Sequence, residues 1–366
     1  MKSRIALMMT MLAVVLAGSA QAQKSQPVEP AKVGSISDKA LLEVSAVARV
    51  GNATFLAGDD DEYPVWMAKG DVLKSFTLKN PIFSDVEALV PISDTEVLIV
   101  CSQGLSEDAS YKSKRTRLGL LAFPKGLDGD ATITAYDGFR DDMISYLGDH
   151  QDSFTDFTAL TQKPPREGGV SIEGAAYDQK NSVLYLGTRD GRSKDGGAII
   201  FSVTNIKGVM AQTEKPKFGP LTRIPLSSYG IRDLTFDGDR VFILFGAMRG
   251  MQKPNAALAS WNPALPKTVE MYDLPELEKL TRAEALYIDA AKEAHVFEDL
   301  DDNHAGMDIA SMEHKFKLSG AKTTTLPEPV TPVPGAPVAA KATPEKSNTQ
   351  GMKPVGVSPK AGGQLK

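Results

Sequence analysis

Five times along this chain an acidic residue opens a short apolar strand, and a second apolar strand and a turn follow within about a dozen residues. The starts are Glu43-Val-Ser-Ala46, Glu87-Ala-Leu89, Glu173-Gly-Ala175, Asp233-Leu-Thr-Phe236 and Glu284-Ala-Leu286. Each leads to a partner strand, namely Phe55 to Gly58, Val97 to Val100, Val183 to Gly187, Val241 to Gly246 and His295 to Phe297. Repeats that each make one small antiparallel sheet cannot bury both faces until neighbours pack on them, which predicts an all-β chain folded as a β-propeller.

Third strands are expected at Val65 to Met67, Leu118 to Phe123, Ala198 to Val203, Ala257 to Trp261 and Lys315 to Leu318. Fourth strands are expected at Val72 to Leu78, Ala131 to Tyr136, Leu221 to Leu226 and Thr268 to Leu274, and the fifth module lacks one. The segment around Val33 to Ile36 is the expected donor of that missing strand, closing the ring and removing an open edge. Successive acidic starts lie 44, 86, 60 and 51 residues apart. The long gap holds residues 139–169, whose Asp141 to Leu147 stretch reads as a short helix and therefore as an insertion. Five four-stranded blades are the expectation, or six if that insertion conceals a degenerate blade.

The ends differ from the body. Residues 1–22 carry Lys2 and Arg4, an apolar run from Ile5 to Ala17, and the small-x-small pattern Ala20-Gln-Ala22, an export signal cleaved near Ala22. The expected location is periplasmic or secreted. From residue 321 to 366 there are eight prolines, six lysines and no aromatic residue. Such a segment buries too little apolar surface to order itself, so it is expected to be a disordered tail whose removal after Gly320 leaves stability unchanged. The net charge of −5 conceals a more acidic body of −11 over residues 23–320, because the leader carries two positive charges and the tail a net four. An acidic body disfavours nucleic acid and attracts cations. The single cysteine, Cys101, excludes an intrachain disulfide and reads as a small buried hydrophobe.

If each acid begins the innermost strand of its blade, Glu43, Glu87, Glu173, Asp233 and Glu284 converge on one end of the central channel. Like charges so placed disfavour one another, and a hard divalent cation such as Ca2+ would relieve them. The alternative is that these acids accept from backbone NH groups or pair with arginines such as Arg232. Asp60 and Asp299 are second-tier metal candidates in the runs Asp59 to Glu62 and Glu298 to Asn303. The latter run is no EF-hand, since counting from Asp299 puts His304 where glycine is required and Ala310 where the closing glutamate belongs. Arg115, Arg117, Arg189 and Arg192 follow second strands, and with Arg232 they form a candidate site for a small anionic ligand; rim salt bridges are the alternative. The four histidines show no H-E-x-x-H spacing, and no nucleophile elbow, P-loop or dinucleotide fingerprint occurs.

The segments Ser171-Ile-Glu-Gly-Ala-Ala-Tyr177 with Leu184-Tyr-Leu-Gly-Thr-Arg189, and Gly230-Ile-Arg-Asp-Leu-Thr235 with Phe242 to Gly246, resemble the paired motifs of a bacterial propeller family. It is the family catalogued as domain of unknown function 3616. The resemblance covers residues 41–300 loosely, departs from the family pattern at Asp190, and implies a propeller without assigning a reaction. The expected acid ring resembles the central calcium site of five-bladed apyrases. Together these features give two functional expectations. One is divalent-cation-dependent hydrolysis of a small phosphorylated or carboxylate ester, with Arg189, Arg115 and Arg117 holding the anion. The other is a non-catalytic envelope protein that binds a ligand or scaffolds a partner on one propeller face.

Overall fold

A computed structural model describes residues 26–28, 30–34, 44–58, 65–69, 72–76, 83–190, 193–194, 196–224, 226, 229–247, 255–299 and 312–326, with only the backbone path of the first two segments. The residues 1–22, Glu43, Asp60, Arg192 and the sequence after Leu326 lie outside the described residues.

Two short strands, β1 (Gln26–Val28) and β2 (Pro30–Gly34), precede blade one, which is built from β3 (Val44–Val50), β4 (Ala53–Gly58), β5 (Val65–Lys69) and β6 (Val72–Phe76). Blade two comprises β7 (Val86–Ser93), β8 (Glu96–Cys101), β9 (Leu118–Ala122) and β10 (Ala131–Tyr136). Two helices follow, α1 (Phe139–Gly148) and α2 (Phe157–Gln162). Blade three comprises β11 (Ser171–Asp178), β12 (Val183–Asp190) and β13 (Ala198–Val203), then helix α3 (Ile206–Met210) and β14 (Thr222–Ile224). Blade four comprises β15 (Tyr229–Asp237), β16 (Arg240–Ala247), β17 (Ala257–Trp261) and β18 (Thr268–Met271). Blade five comprises β19 (Ala283–Ile288), β20 (Glu293–Glu298) and β21 (Glu313–Lys317), and β22 (Lys322–Thr325) ends the described chain.

Each blade is an antiparallel meander, and five of them complete the propeller. The insertion is not a sixth blade. Phe139, Met143, Tyr146 and Leu147 of α1 are buried in one cluster with Val90 and Leu98 of blade two and Leu186 and Phe201 of blade three, so the insertion fills the wedge between those blades. Each such fully buried large side chain contributes roughly 1.5–3 kcal/mol. The ring closes through a second cluster, in which Val44, Val47, Leu56 and Trp66 of blade one meet Ala285, Phe297 and Met312 of blade five and its flank.

Two expectations about the edges are corrected, through three strands. The N-terminal strand does not complete blade five: β2 pairs with β6 on the outer edge of blade one, in the register Lys32 to Ser75 and Gly34 to Leu73. Its neighbour β1 adds to β10 of blade two. The tail does not start at residue 321, because β22 pairs with β18 on the outer edge of blade four and Leu326 is buried beside it. The physical reason is the same in all three cases. An outermost strand offers a free row of backbone groups to any extended segment nearby, whatever its side chains.

Candidate functional site

The five innermost strands share an irregularity near their first residues. Pairing with the second strand skips one residue in each: between Val44 and Ala46, Val86 and Ala88, Ile172 and Gly174, Ile231 and Asp233, and Ala283 and Ala285. A bulge of this kind leaves its extra residue out of the ladder and re-aims its side chain. The bulged residues are Ser45, Glu87, Glu173, Arg232 and Glu284. These five positions, one per blade, form a ring at one end of the channel.

The expected ring of carboxylates is therefore corrected at blade four, while in blade one the expected Glu43 lies outside the described residues. In blade one the equivalent position is Ser45, two residues beyond Glu43; its Oγ donates to the carbonyl of Val86 at 2.6 Å, joining blades one and two. In blade four the position belongs to Arg232, and Asp233 is one residue out of register. The Asp233 carboxylate turns to the backbone instead, where Oδ1 accepts from the NH of Leu234 and Oδ2 from the NH of Leu286 in blade five, both at 2.7 Å. Burial holds the Asp233 carboxyl well above the usual range, outweighing those two NH donors.

Arg232 is the hub of the ring. Its Nη1 donates to Glu284 Oε1 at 2.5 Å and Oε2 at 2.6 Å, and to Glu173 Oε2 at 3.4 Å. Arg189, at the end of β12, adds Nη1 contacts to both Glu173 oxygens at 3.1 and 3.0 Å. Glu173 is 1% exposed and receives a further bond from Ser171 Oγ at 3.2 Å. Glu87 is buried in blade two. The Glu284 side chain keeps 17% exposure and Arg189 keeps 16%. Burial, opposed by Arg232 and reinforced by the charge of Glu173, pushes the Glu284 carboxyl up to about 7. A guanidinium thus occupies one of the five positions from which a carboxylate was expected to hold Ca2+, and a second approaches from blade three. The residues present do not fit a five-ligand calcium site.

The other candidates lie elsewhere. Arg115 is ion-paired with Asp85 at 2.5 Å, and Arg117 is paired with Asp137, both around blade two. Asp299 is bound by Arg282 at 2.7 Å. Cys101 is fully buried, and burial pushes its thiol up, as befits a packing residue.

At the opposite end, the channel opens into a cavity of about 390 Å3, to which all five innermost strands contribute, including Ala48 and Arg49, Val90 and Pro91, Tyr177 and Asp178, Thr235 and Phe236, and Tyr287 and Ile288. Its size falls in the range of small-molecule sites, roughly 300–1,000 Å3. Sequence reading did not find this mouth, because its lining comes from apolar strand positions that look like core.

No family model matches the chain, and no curated protein matches it. Solved structures do share its architecture at very low identity. The chain is similar to a β-1,3-galactosidase of glycoside hydrolase family 43 (10% identity, TM-score 0.43, covering 80% of this chain and 59% of that one). It is similar also to a family 43 endo-arabinanase from Bacillus licheniformis (12%, TM-score 0.34, 76% and 92%). A third similar structure is the extracellular domain of a putative hybrid two-component system from B. thetaiotaomicron (11%, TM-score 0.34, 70% and 26%). This chain thus spans about a quarter of the length of the last and under two thirds of the galactosidase. These likenesses concern the propeller fold alone. Among the described residues no helix is long and apolar enough to cross a membrane.

Proposed function

We propose that this chain is an exported, non-catalytic propeller that binds a ligand or partner at a channel mouth, and that its axial ring clamps the blades together. The observation that carries this reading is Arg232 standing between Glu173 and Glu284, with Arg189 on the far side of Glu173. Of the three ring carboxylates, Glu87, Glu173 and Glu284, the last is half protonated near neutral pH, and two guanidiniums stand against the remaining charge, which lowers the electrostatic demand for a metal. Buried ion pairs that bridge separate elements act mainly on geometry, because desolvation offsets most of their attraction. The motifs that supply Glu173, Arg189 and Arg232 are those that resemble the family catalogued as domain of unknown function 3616, and membership of that family is part of this proposal.

A second reading is favoured by one feature. Glu284 combines a pKa of about 7 with residual exposure to the channel, as a general acid would, and Arg189 is exposed enough to steady an anionic ester. The two readings separate in one experiment. The purified protein is titrated calorimetrically with calcium and screened against generic phosphoesters and carboxylate esters. Absence of calcium heat and of turnover supports the clamp. Turnover that Glu284→Gln abolishes, while the thermal midpoint is retained, overturns it in favour of hydrolysis.

A further inference from the structure

The far end of blade five carries a second constellation, outside the ring. Strand β19 turns into β20 through Asp289 and Glu293, whose backbones are joined by a 3.0 Å bond from the NH of Asp289 to the carbonyl of Glu293. Side chains two apart on a strand share a face. Glu293 and His295 therefore emerge on one side of β20, and Asp289 meets them from across the turn. One oxygen of Asp289, one of Glu293 and one ring nitrogen of His295 all lie within 4.8 Å of one another.

The imidazole is held between two carboxylates, one on each ring nitrogen. His295 is 5% exposed, and its ring stacks on Tyr287, its cross-strand partner, with centroids 4.3 Å apart and planes 14° from parallel. Its Nδ1 lies 2.7 Å from Oε1 of Glu313 on β21, and the same oxygen accepts from the Tyr287 hydroxyl at 2.9 Å. An ionised carboxylate only accepts, so the proton on that ring edge belongs to Nδ1. Nε2 is buried, makes no hydrogen bond, and lies 3.1 Å from Asp289 Oδ2. In the neutral imidazole Nε2 turns a lone pair toward Asp289, where a cation can sit between them; in the imidazolium it donates to Asp289 instead. A metal-bound histidine shows this same arrangement: the outer nitrogen donates to a carboxylate, which fixes the tautomer and aims the inner nitrogen at the ion.

We propose that Asp289, Glu293 and His295 bind one divalent transition-metal ion of the zinc class, with Glu313 and Tyr287 orienting the imidazole. One imidazole nitrogen with two carboxylate oxygens suits a borderline ion better than calcium, which prefers six or more oxygens. Asp289 is partly exposed, 29% at its side chain, so solvent completes the coordination sphere and an outside group could replace it. The site borders the cavity at the second channel mouth, since Tyr287, against which His295 stacks, lines that cavity. Bound metal would pin the β19–β20 hairpin and offer a Lewis-acidic position beside the opening.

The test is zinc titration of the purified protein, free of any histidine tag, by calorimetry, with calcium as the comparison ion. The expected result is one zinc ion per chain, no comparable calcium binding, and a weakening of at least tenfold in Asp289→Asn and in Glu293→Gln, whose partly exposed side chains can be altered without unfolding the blade. Glu313→Gln, which touches no metal, is expected to weaken zinc binding while leaving its stoichiometry at one. His295→Ala should abolish binding; because its loss can also damage the blade, the carboxylate variants decide the matter. Absence of zinc binding, unchanged affinity in the Asp289→Asn, Glu293→Gln double variant, or calcium binding as tight as zinc would each overturn the proposal.

Discussion

A Cβ placed on Gly246 would stand 2.7 Å from Nε and 2.9 Å from Cγ of Arg232. The glycine that ends the apolar run of β16 is thus the floor on which the ring's central guanidinium lies. Gly246→Ala should push that side chain off Glu284 and cost about 1–3 kcal/mol, the usual penalty for overpacking. Chemical denaturation measures it. Its effect should be strongly non-additive with that of Arg232→Met, because both act through one side chain.

Removal of Arg232 itself is the more severe change. Arg232→Met leaves Glu173 and Glu284 facing each other in a buried setting with one compensating cation fewer, and breaking a buried pair in this way costs roughly 3–5 kcal/mol. Adding Glu284→Gln to Arg232→Met should recover part of the loss. Equal stability of the single and double variants would show that the two residues are not coupled.

The pH dependence has a definite sign. Glu284 rises from an ordinary 4.5 to about 7 on folding, so the folded state holds a proton that the unfolded state releases. Its favourable contribution is complete below pH 4.5 and is lost as the pH rises through 7. Stability should therefore fall between about pH 5 and pH 8, by on the order of 2–3 kcal/mol for this group. Asp233 is shifted in the same direction, so Glu284→Gln should flatten the slope without abolishing it. Denaturation midpoints across that range provide the check.

Asp233 has a separate, mechanical role. Asp233→Ala strands the NH groups of Leu234 and Leu286, both buried, at about 1–3 kcal/mol each. Asp233→Asn keeps one acceptor and should lose less. Hydrogen exchange at Leu286 should accelerate in the alanine variant, since that amide depends on a neighbouring blade.

Truncation after Gly320 should lower the thermal midpoint by several degrees, because it removes β22 from blade four and the buried Leu326. Truncation after Leu326 keeps both and is the control.

Apolar runs made the blades legible in the sequence: the third strands of blades one to four begin at Val65, Leu118, Ala198 and Ala257 as expected, and that of blade five begins at Glu313, two residues before the expected Lys315. The helical insertion was legible too. What sequence could not convey was the bulge. A single extra residue in each inner strand shifts which side chain leaves the ladder, and that shift put Arg232 rather than Asp233 at the bulge of blade four and Ser45 at that of blade one. In blades two, three and five the acid is itself the extra residue, so Glu87, Glu173 and Glu284 occupy the bulges. The Asp289, Glu293 and His295 group went unseen for a different reason. Its residues are spaced for a hairpin, whereas the H-E-x-x-H motif spaces its histidines for one face of a helix.

The strands β1 and β22 lie on the outermost edges of blades two and four. The described chain therefore begins and ends on the circumference, away from both openings of the axle. A surface or partner that docked against either of these two edge strands would meet the propeller edge-on. Both the ring around Arg232 and the aromatic mouth would then stay open to whatever diffuses past.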